Sequence, residues 1–115
     1  MKDFVFKKKF GQNFISDKNL LNAIVSDANI YADDEVLEIG PGAGSLTQVL
    51  SEKAKKVVAY EIDKDLQEHL LGMNLKNVDF VFEDFMKASM EDVEKKFANS
   101  YKAVSYTHLT LPTIA

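Results

Sequence analysis

Cysteine is absent from the 115-residue chain, and so are long apolar runs. Without cysteine, neither a disulfide scaffold nor a thiolate metal site can form, and a reducing compartment suits the chain. No run approaches the roughly 20 apolar residues that span a bilayer, and the N-terminus has no apolar core of signal-peptide length. We therefore expect a cytoplasmic protein with no membrane partner.

Charge of one sign does not dominate the composition. Hydrophobic residues make up 46% and charged residues 28%, which is typical of a globular domain. The formal net charge of the whole chain is -4, which by itself argues against a protein that binds nucleic acid. Residues 1–15 are nevertheless basic and aromatic, because Lys7, Lys8 and Lys9 lie among phenylalanines in "KDFVFKKKF". On these residues alone, a solvated terminus is the simpler interpretation of this N-terminal arm.

Helical and strand patterns alternate after the arm. Ser16 is a candidate N-cap for a helix from about 17 to 29. Short runs rich in β-branched and aromatic residues predict strands. They span 35–39, 56–60, 78–82 and, less regularly, 101–104. Helical patterns separate them at 45–54, 65–74 and after a capping-box pattern formed by Ser89 and Asp92. This alternation predicts an α/β fold, a doubly wound parallel sheet with right-handed crossovers.

The stretch "EVLEIGPGAG" places Gly40, Gly42 and Gly44 directly after the first strand. A glycine turn followed about 20 residues later by an acid is shared by dinucleotide enzymes and S-adenosylmethionine enzymes. The G-x-G-x-G spacing differs from the dinucleotide fingerprint. In addition, the Glu38 carboxylate would repel a pyrophosphate but suits a cofactor that carries an ammonium and a sulfonium group. Both features favour the methyl donor.

Three acids recur at equal intervals near the carboxyl ends of successive strands, where open α/β sheets bind ligands. They are Glu38, Glu61 and Asp84. We expect Glu61 to accept hydrogen bonds from both ribose hydroxyls of the cofactor, and Asp84 to accept one from the adenine amine. Either Ile62 or Phe85 could pack on the adenine ring. The alternative is that Glu61 and Asp84 are ordinary acids at strand ends.

Other chemistry-bearing residues do not form a recognisable site. His69 lies on a helical pattern between Glu68 and Leu70, where a histidine is more typical of a surface or packing position than of a ligand. Met73, Met86 and Met90 are interpreted as core-filling residues. We find no Ser-His-Asp arrangement and no metal-ligand spacing.

The segments "KKKFGQNFI", "VLEIGPGAGSLT", "VVAYEID" and "FEDFMK", in this order, resemble the opening motifs of the ribosomal RNA adenine N6-dimethyltransferase family. The resemblance runs from about Lys7 to Val104. It implies a Rossmann-like class I methyltransferase fold and a cofactor, S-adenosylmethionine. It also implies methyl transfer to the exocyclic N6 of adenines in small-subunit ribosomal RNA. The small ribosomal subunit would then be the partner, and the intact protein a monomer.

The resemblance also implies roles for individual residues. Gln12, Asn13 and Ile15 would close over the methionine end of the cofactor, and Gly40 and Gly42 would line the loop. These residues would join Glu38, Glu61, Ile62, Asp84 and Phe85 in cofactor binding. Lys7, Lys8 and Lys9 would contact RNA phosphates.

The chain departs from the family after the fourth predicted strand. Family members carry an Asn-(Leu or Ile)-Pro-(Tyr or Phe) motif there, which holds the target amine and stacks on the flipped base. This chain instead reads "SYTHLTLPT". We interpret 16–104 as a partial cofactor-binding domain and 105–115 as a non-native tail resembling a translated adapter. The chain would then lack catalytic residues, be inactive on RNA, and have marginal stability.

Three other functions remain open. The first is a class I methyltransferase that acts on a small molecule or protein, which would share the glycines and acids but not the basic arm. The second is a fragment of an NAD-binding oxidoreductase. The third is a binding module without catalysis.

Overall fold

A four-stranded parallel sheet forms the centre of the computed structural model, which describes residues 18–105. Its strands are β1 (Glu35–Ile39), β2 (Lys56–Tyr60), β3 (Val78–Val81) and β4 (Lys102–Ser105). The strand order is β3-β2-β1-β4, and every neighbouring pair is parallel. The direction of strand addition therefore reverses after β3, which is the doubly wound arrangement. The predicted α/β fold is confirmed.

Within residues 18–105, four α-helices and two short 3-10 turns accompany the strands. The helices are α1 (Lys18–Asp27), α2 (Ser45–Lys53), α3 (Gln67–Leu71) and α4 (Met90–Glu94). The 3-10 turns are Lys64–Leu66 and Phe85–Lys87. Within the described range, none of these helices has the length and apolar character needed to cross a membrane.

The predicted element bounds agree with the structure to within two residues, except for the helix expected at 65–74. β1 and β2 have the predicted bounds, β3 ends one residue earlier than predicted, and β4 begins one residue later. The helix expected at 65–74 is shorter, because Asp63 caps a 3-10 turn before it and Asn74 adopts a positive φ of 55° after it. Ser89 caps α4 as predicted, since its side chain accepts a hydrogen bond from the Asp92 amide.

Apolar side chains cover both faces of the sheet. On one face, residues of α1 and α2 pack against alternate residues of β1, β2 and β4, among them Val36, Val57 and Val104. On the other face, Leu37 and Val58 pack with Val93 of α4 and with residues that follow it. Because side chains alternate along a strand, Glu38 lies on the same face as Val36 and is directed toward α2.

The carboxyl ends of β1 and β2 are level with each other. Ile39 pairs with Tyr60 in the last register position, and the amide of Gly40 continues the ladder by donating to the Tyr60 carbonyl at 2.8 Å. The residues that follow the two strands, Gly40 and Glu61, are therefore placed side by side.

Candidate functional site

Residues 40–44 form a tight glycine loop between β1 and α2. Gly40, Gly42 and Gly44 all have positive φ, at 76°, 59° and 91°. Residues with a Cβ rarely adopt this backbone conformation, so the three glycines are a requirement of the loop geometry. The Gly44 amide donates to the Pro41 carbonyl at 3.0 Å and closes the turn before α2 begins.

Glu61 links the glycine loop to the end of β2. Its Oε1 accepts a hydrogen bond from the Gly42 amide at 3.1 Å, and its Oε2 accepts one from the Asp63 amide at 2.9 Å. The residue is buried, with 5% of its surface exposed. Each carboxylate oxygen has two lone pairs, so both oxygens keep the capacity to accept one further hydrogen bond. The structure thus holds this carboxylate in a fixed position beside the loop.

Glu38 is fully buried beneath the loop. Its Oε1 accepts a hydrogen bond from the Thr47 hydroxyl of α2 at 2.6 Å. Its Oε2 is also buried, and it has no hydrogen-bond partner within residues 18–105. The pKa of the Glu38 carboxyl is raised to about 7, mainly because the group is buried; the Thr47 hydrogen bond lowers the pKa and the charge of nearby Glu61 adds to the rise.

This protonation behaviour changes one step of the sequence interpretation. The sequence suggested a fully charged carboxylate at position 38. With a pKa of about 7, the group is only partly ionised at neutral pH. Positive charge near the carboxyl group would favour its ionised form.

Asp84 and Ile62 lie together at the carboxyl edge of β2 and β3. Both line a cavity of about 370 Å³, which is within the size range of small-molecule sites. The remaining lining residues are Lys64, Phe82, Glu83, Lys87 and Ala88. Asp84 Oδ1 accepts a hydrogen bond from the Met86 amide at 2.9 Å. Ile62 is 64% exposed, so its side chain is available to a ligand.

Phe85 does not line this cavity. Its ring packs edge-on against Tyr60, with ring centroids 5.3 Å apart, and belongs to the core face that contains Leu37 and Val58. Of the two residues expected to contact an adenine ring, the structure therefore brings Ile62, but not Phe85, to the cavity beside Asp84.

Six of the predicted site residues lie outside the described residues. They are Lys7, Lys8, Lys9, Gln12, Asn13 and Ile15. Their predicted contacts with RNA or with the methionine end of a cofactor stay predictions.

Three residues at the site were not identified as site residues from the sequence. Thr47 holds Glu38, Phe82 lines the cavity, and the His69 ring nitrogen Nε2 lies 2.8 Å from the Ala43 carbonyl oxygen in the glycine loop. The position of Thr47 on the α2 face that meets β1 could have indicated its role. The His69 contact depends on how α3 packs, and no local pattern indicates it.

Comparison with known families identifies the chain. The family model described as "Ribosomal RNA adenine dimethylase" matches residues 3–112. The chain belongs to the ribosomal RNA adenine dimethylase family. This confirms the family that the order of motifs predicted.

Curated relatives of this chain and solved structures agree with its assignment to the ribosomal RNA adenine dimethylase family. "Ribosomal RNA small subunit methyltransferase A" of Aster yellows witches'-broom phytoplasma (strain AYWB) is 51% identical over 84 residues, which are 73% of this chain and 31% of that protein. The 23S rRNA methyltransferase ErmE has a TM-score of 0.59 at 33% identity, over 77% of this chain and 35% of that chain. A dimethyladenosine transferase from Plasmodium falciparum, 23% identical, shares the fold with a TM-score of 0.58, over 84% of this chain and 38% of that chain. The class I methyltransferase fold is thereby confirmed.

The chain spans about a third of the length of the curated relatives it matches. The match to the ribosomal RNA adenine dimethylase model extends into residues 105–112. The interpretation of 105–115 as a non-native tail stays a prediction, and residues 106–115 lie outside the described range.

Proposed function

We propose that this chain binds S-adenosylmethionine at the carboxyl edge of its sheet. We further propose that the whole protein transfers methyl groups to the N6 of adenines in small-subunit ribosomal RNA. One observation carries the proposal: the glycine loop, the two buried acids Glu38 and Glu61, and the cavity at Asp84 lie along one sheet edge in a member of this family. Curated relatives are named ribosomal RNA small subunit methyltransferase A, and the matching family model is described as ribosomal RNA adenine dimethylase.

The glycine loop fits the methionine end of the cofactor. A Cβ built on Gly40 would meet no heavy atom of the described residues within 4 Å, so the loop leaves open space that a ligand can approach closely. Glu38 lies below this loop with a buried oxygen that has no hydrogen-bond partner among residues 18–105, and Glu61 adds a second acid. This set of groups favours a ligand with positive charge and disfavours a pyrophosphate.

The neighbouring strand ends fit the nucleoside end. Glu61 is pre-oriented by two backbone amides and would accept the ribose hydroxyls through its remaining lone pairs. Asp84 would accept from the adenine amine, while Ile62 and Phe82 of the same cavity offer apolar surface to the ring. We therefore assign the ring contact to Ile62 and leave Phe85 to the core.

The bound cofactor would supply an electrophilic methyl group on a cationic sulfonium. Within this chain, the contribution to methyl transfer is positional: the loop, Glu61 and Asp84 fix the ligand. The basic arm, with Lys7, Lys8 and Lys9, would bind RNA phosphates. The residues that hold the target amine would come from the Asn-(Leu or Ile)-Pro-(Tyr or Phe) motif, which this chain lacks, so we expect no methyl transfer by the 115-residue chain.

The cofactor is tested by calorimetric titration of the chain with S-adenosylmethionine, its demethylated product and NAD. We expect saturable binding of the first two ligands only. Glu61→Gln, which keeps the shape but removes the charge, should weaken binding about tenfold or more, since hydrogen bonds to charged groups are the stronger ones. The exposed Glu68→Gln is the matched control. Saturation by NAD alone would overturn the assignment.

The substrate is tested through the basic arm. We expect ultraviolet crosslinking of the chain to a small-subunit ribosomal RNA fragment, and its loss when Lys7, Lys8 and Lys9 are all changed to alanine. Cofactor binding without any arm-dependent crosslink would favour the alternative, a methyltransferase acting on a small molecule or protein. Incubation with labelled methyl donor and RNA tests the expected inactivity, which measurable transfer by the 115-residue chain would contradict.

A further inference from the structure

Helix α3 lies directly against the glycine loop. Its residue His69 approaches the Ala43 carbonyl oxygen with Nε2 at 2.8 Å. A Cβ built on Gly44 would lie 2.5 Å from Met73 Sδ and 3.1 Å from a Leu70 methyl carbon, so this part of the chain packs closely on the end of the loop. The glycine loop therefore packs against the side chains of His69, Leu70 and Met73.

Two side chains hold neighbouring backbone groups of the loop. Glu61 accepts from the Gly42 amide at 3.1 Å, and His69 contacts the Ala43 carbonyl. The peptide that joins Gly42 to Ala43 is thus bounded by one contact from the end of β2 and one from α3. Gly42 and Gly44, on either side of Ala43, both have positive φ. Glycine backbone has several accessible conformations, so contacts from outside the loop are needed to select one of them.

The direction of the His69 hydrogen bond follows from its partner. A carbonyl oxygen only accepts, so Nε2 must carry the proton. In the neutral ring, this fixes the Nε2–H tautomer and leaves Nδ1 as the acceptor nitrogen. The contact therefore predicts one tautomer of His69 in the protein without ligand, which spectroscopy can observe.

We propose that His69 is a positioning residue for the cofactor: its Nε2–H holds the Ala43 carbonyl and keeps the glycine loop in the shape that admits the methionine end. The effect on affinity rests on the proposed function, whereas the effect on loop shape does not. His69 acts through the loop and needs no contact with the ligand. The resemblance assigns no role to this residue.

The first experiment observes the free chain. Long-range proton–nitrogen correlation spectra at alkaline pH should show Nε2 of His69 protonated and Nδ1 unprotonated. His69→Ala should speed amide hydrogen exchange at Gly42 and Gly44 but not at Val58 in the sheet core. An Nδ1–H tautomer, or loop exchange unchanged by the substitution, would overturn the proposal.

The second experiment measures affinity for the demethylated cofactor product by calorimetry. His69→Ala should weaken binding about three- to tenfold, the range expected for one hydrogen bond. His69→Gln, whose amide Nε2 can also donate to Ala43, should restore affinity to within about twofold. Glu68→Ala, on an exposed neighbour in the same helix, should leave it unchanged. Equal affinity of the parent and His69→Ala would contradict the proposal.

The two experiments separate this proposal from the proposed function. If the parent does not bind the cofactor product, the proposed function fails, and the tautomer and loop exchange still decide whether His69 holds the loop. If the parent binds and His69→Gln behaves like His69→Ala, the hydrogen bond is not what matters and the proposal fails. Should His69→Ala not fold, the tautomer in the parent and the affinity of the glutamine variant decide between the two outcomes.

Discussion

Glu38 and Thr47 are buried polar residues joined by a hydrogen bond of 2.6 Å between β1 and α2. Burial of a carboxyl group is unfavourable when the group is charged, and Glu38 has only one of its oxygens paired within the described range. Its pKa of about 7 means that the unfolded chain loses this proton at lower pH than the folded chain does. Between these two pKa values the folded state binds more protons, so stability falls as pH rises.

Glu38→Gln should remove this pH dependence. Relative to the parent, the free energy of unfolding of the variant should rise by about 2 kcal/mol between pH 5 and pH 8, because only the parent has to ionise a buried group. Urea unfolding of both proteins at the two pH values measures the change. Glu68→Gln, on the surface, should show no such trend. A pH-independent difference between parent and Glu38→Gln would show that Glu38 is already ionised at pH 5.

At this scale, the sequence indicated Glu38 and Glu61 as candidate ligand-binding acids but did not indicate how the fold holds their carboxyl groups. The period of β1 places Glu38 on the face of Val36, yet its charge state depends on how completely α2 covers it. Glu61 was predicted as a ligand for ribose, and the structure adds two backbone hydrogen bonds to its carboxylate. Such contacts depend on the three-dimensional approach of separate elements, so a linear pattern does not contain them.

The glycine loop is the element on which the site depends, and its glycines differ in what surrounds them. Among residues 18–105, no heavy atom lies within 4 Å of a Cβ built on Gly40, whereas a Cβ on Gly44 would meet Met73 and Leu70. Both positions have positive φ. Backbone strain therefore applies to both, but crowding applies to Gly44 alone.

Gly44→Ala should destabilise the chain more than Gly40→Ala does. We expect about 1 kcal/mol for the backbone strain at Gly40, and up to about 3 kcal/mol at Gly44, where the Met73 side chain must also move. Gly40→Ala should instead reduce cofactor affinity, because its methyl group occupies the proposed ligand space. Chemical denaturation and calorimetric titration of both variants test this division, and equal stability losses would refute it.

Asn77 connects two elements before β3 begins. Its Nδ2 donates to the Ser51 carbonyl at 2.8 Å and to the Ala54 carbonyl at 3.2 Å. These carbonyls belong to the last turn of α2 and the residue after it, where backbone acceptors lack helical partners. The element bounds of α2 and β2 were predictable from apolar spacing, whereas this link between distant segments was not.

Asn77→Ala should therefore cost about 1 to 2 kcal/mol of stability, since two partly buried carbonyls lose a donor. The neighbouring Lys76→Ala, at an exposed position, should cost less than about 0.5 kcal/mol. Denaturant unfolding of the two variants side by side measures the difference. If both alanines have the same effect, the hydrogen bonds of Asn77 contribute nothing to stability.

At the scale of the whole described molecule, the two faces of the sheet are unequally covered. Helices of ten and nine residues pack on one face, whereas the other is covered by the five-residue α4 and the segment after it. The outer strands β3 and β4 each have four residues and leave unpaired backbone groups within residues 18–105.

Met86 and Met90, interpreted from sequence as core-filling, are exposed instead. That interpretation was wrong, because the 3-10 turn and α4 direct these side chains outward.

These features predict marginal stability or self-association of the 115-residue chain. Unpaired strand edges and exposed apolar side chains favour contacts between copies. We expect a broad thermal transition by circular dichroism and concentration-dependent mass by light scattering. A sharp cooperative melt of a monomer at all concentrations would contradict this expectation.

The contacts that shape the glycine loop come from a short stretch of chain. Tyr60, Glu61, His69 and Met73 follow the loop closely in sequence, and β2 pairs with β1 directly. During translation, a nascent chain that has emerged as far as Met73 already possesses all of these partners, while Asp84 is still inside the exit tunnel. Local pairings of this kind form quickly, and domains begin to fold from their N-terminal side. The glycine loop, which we propose holds the methionine end of the cofactor, is thus able to take its shape before Asp84, the proposed partner of the adenine, has left the ribosome.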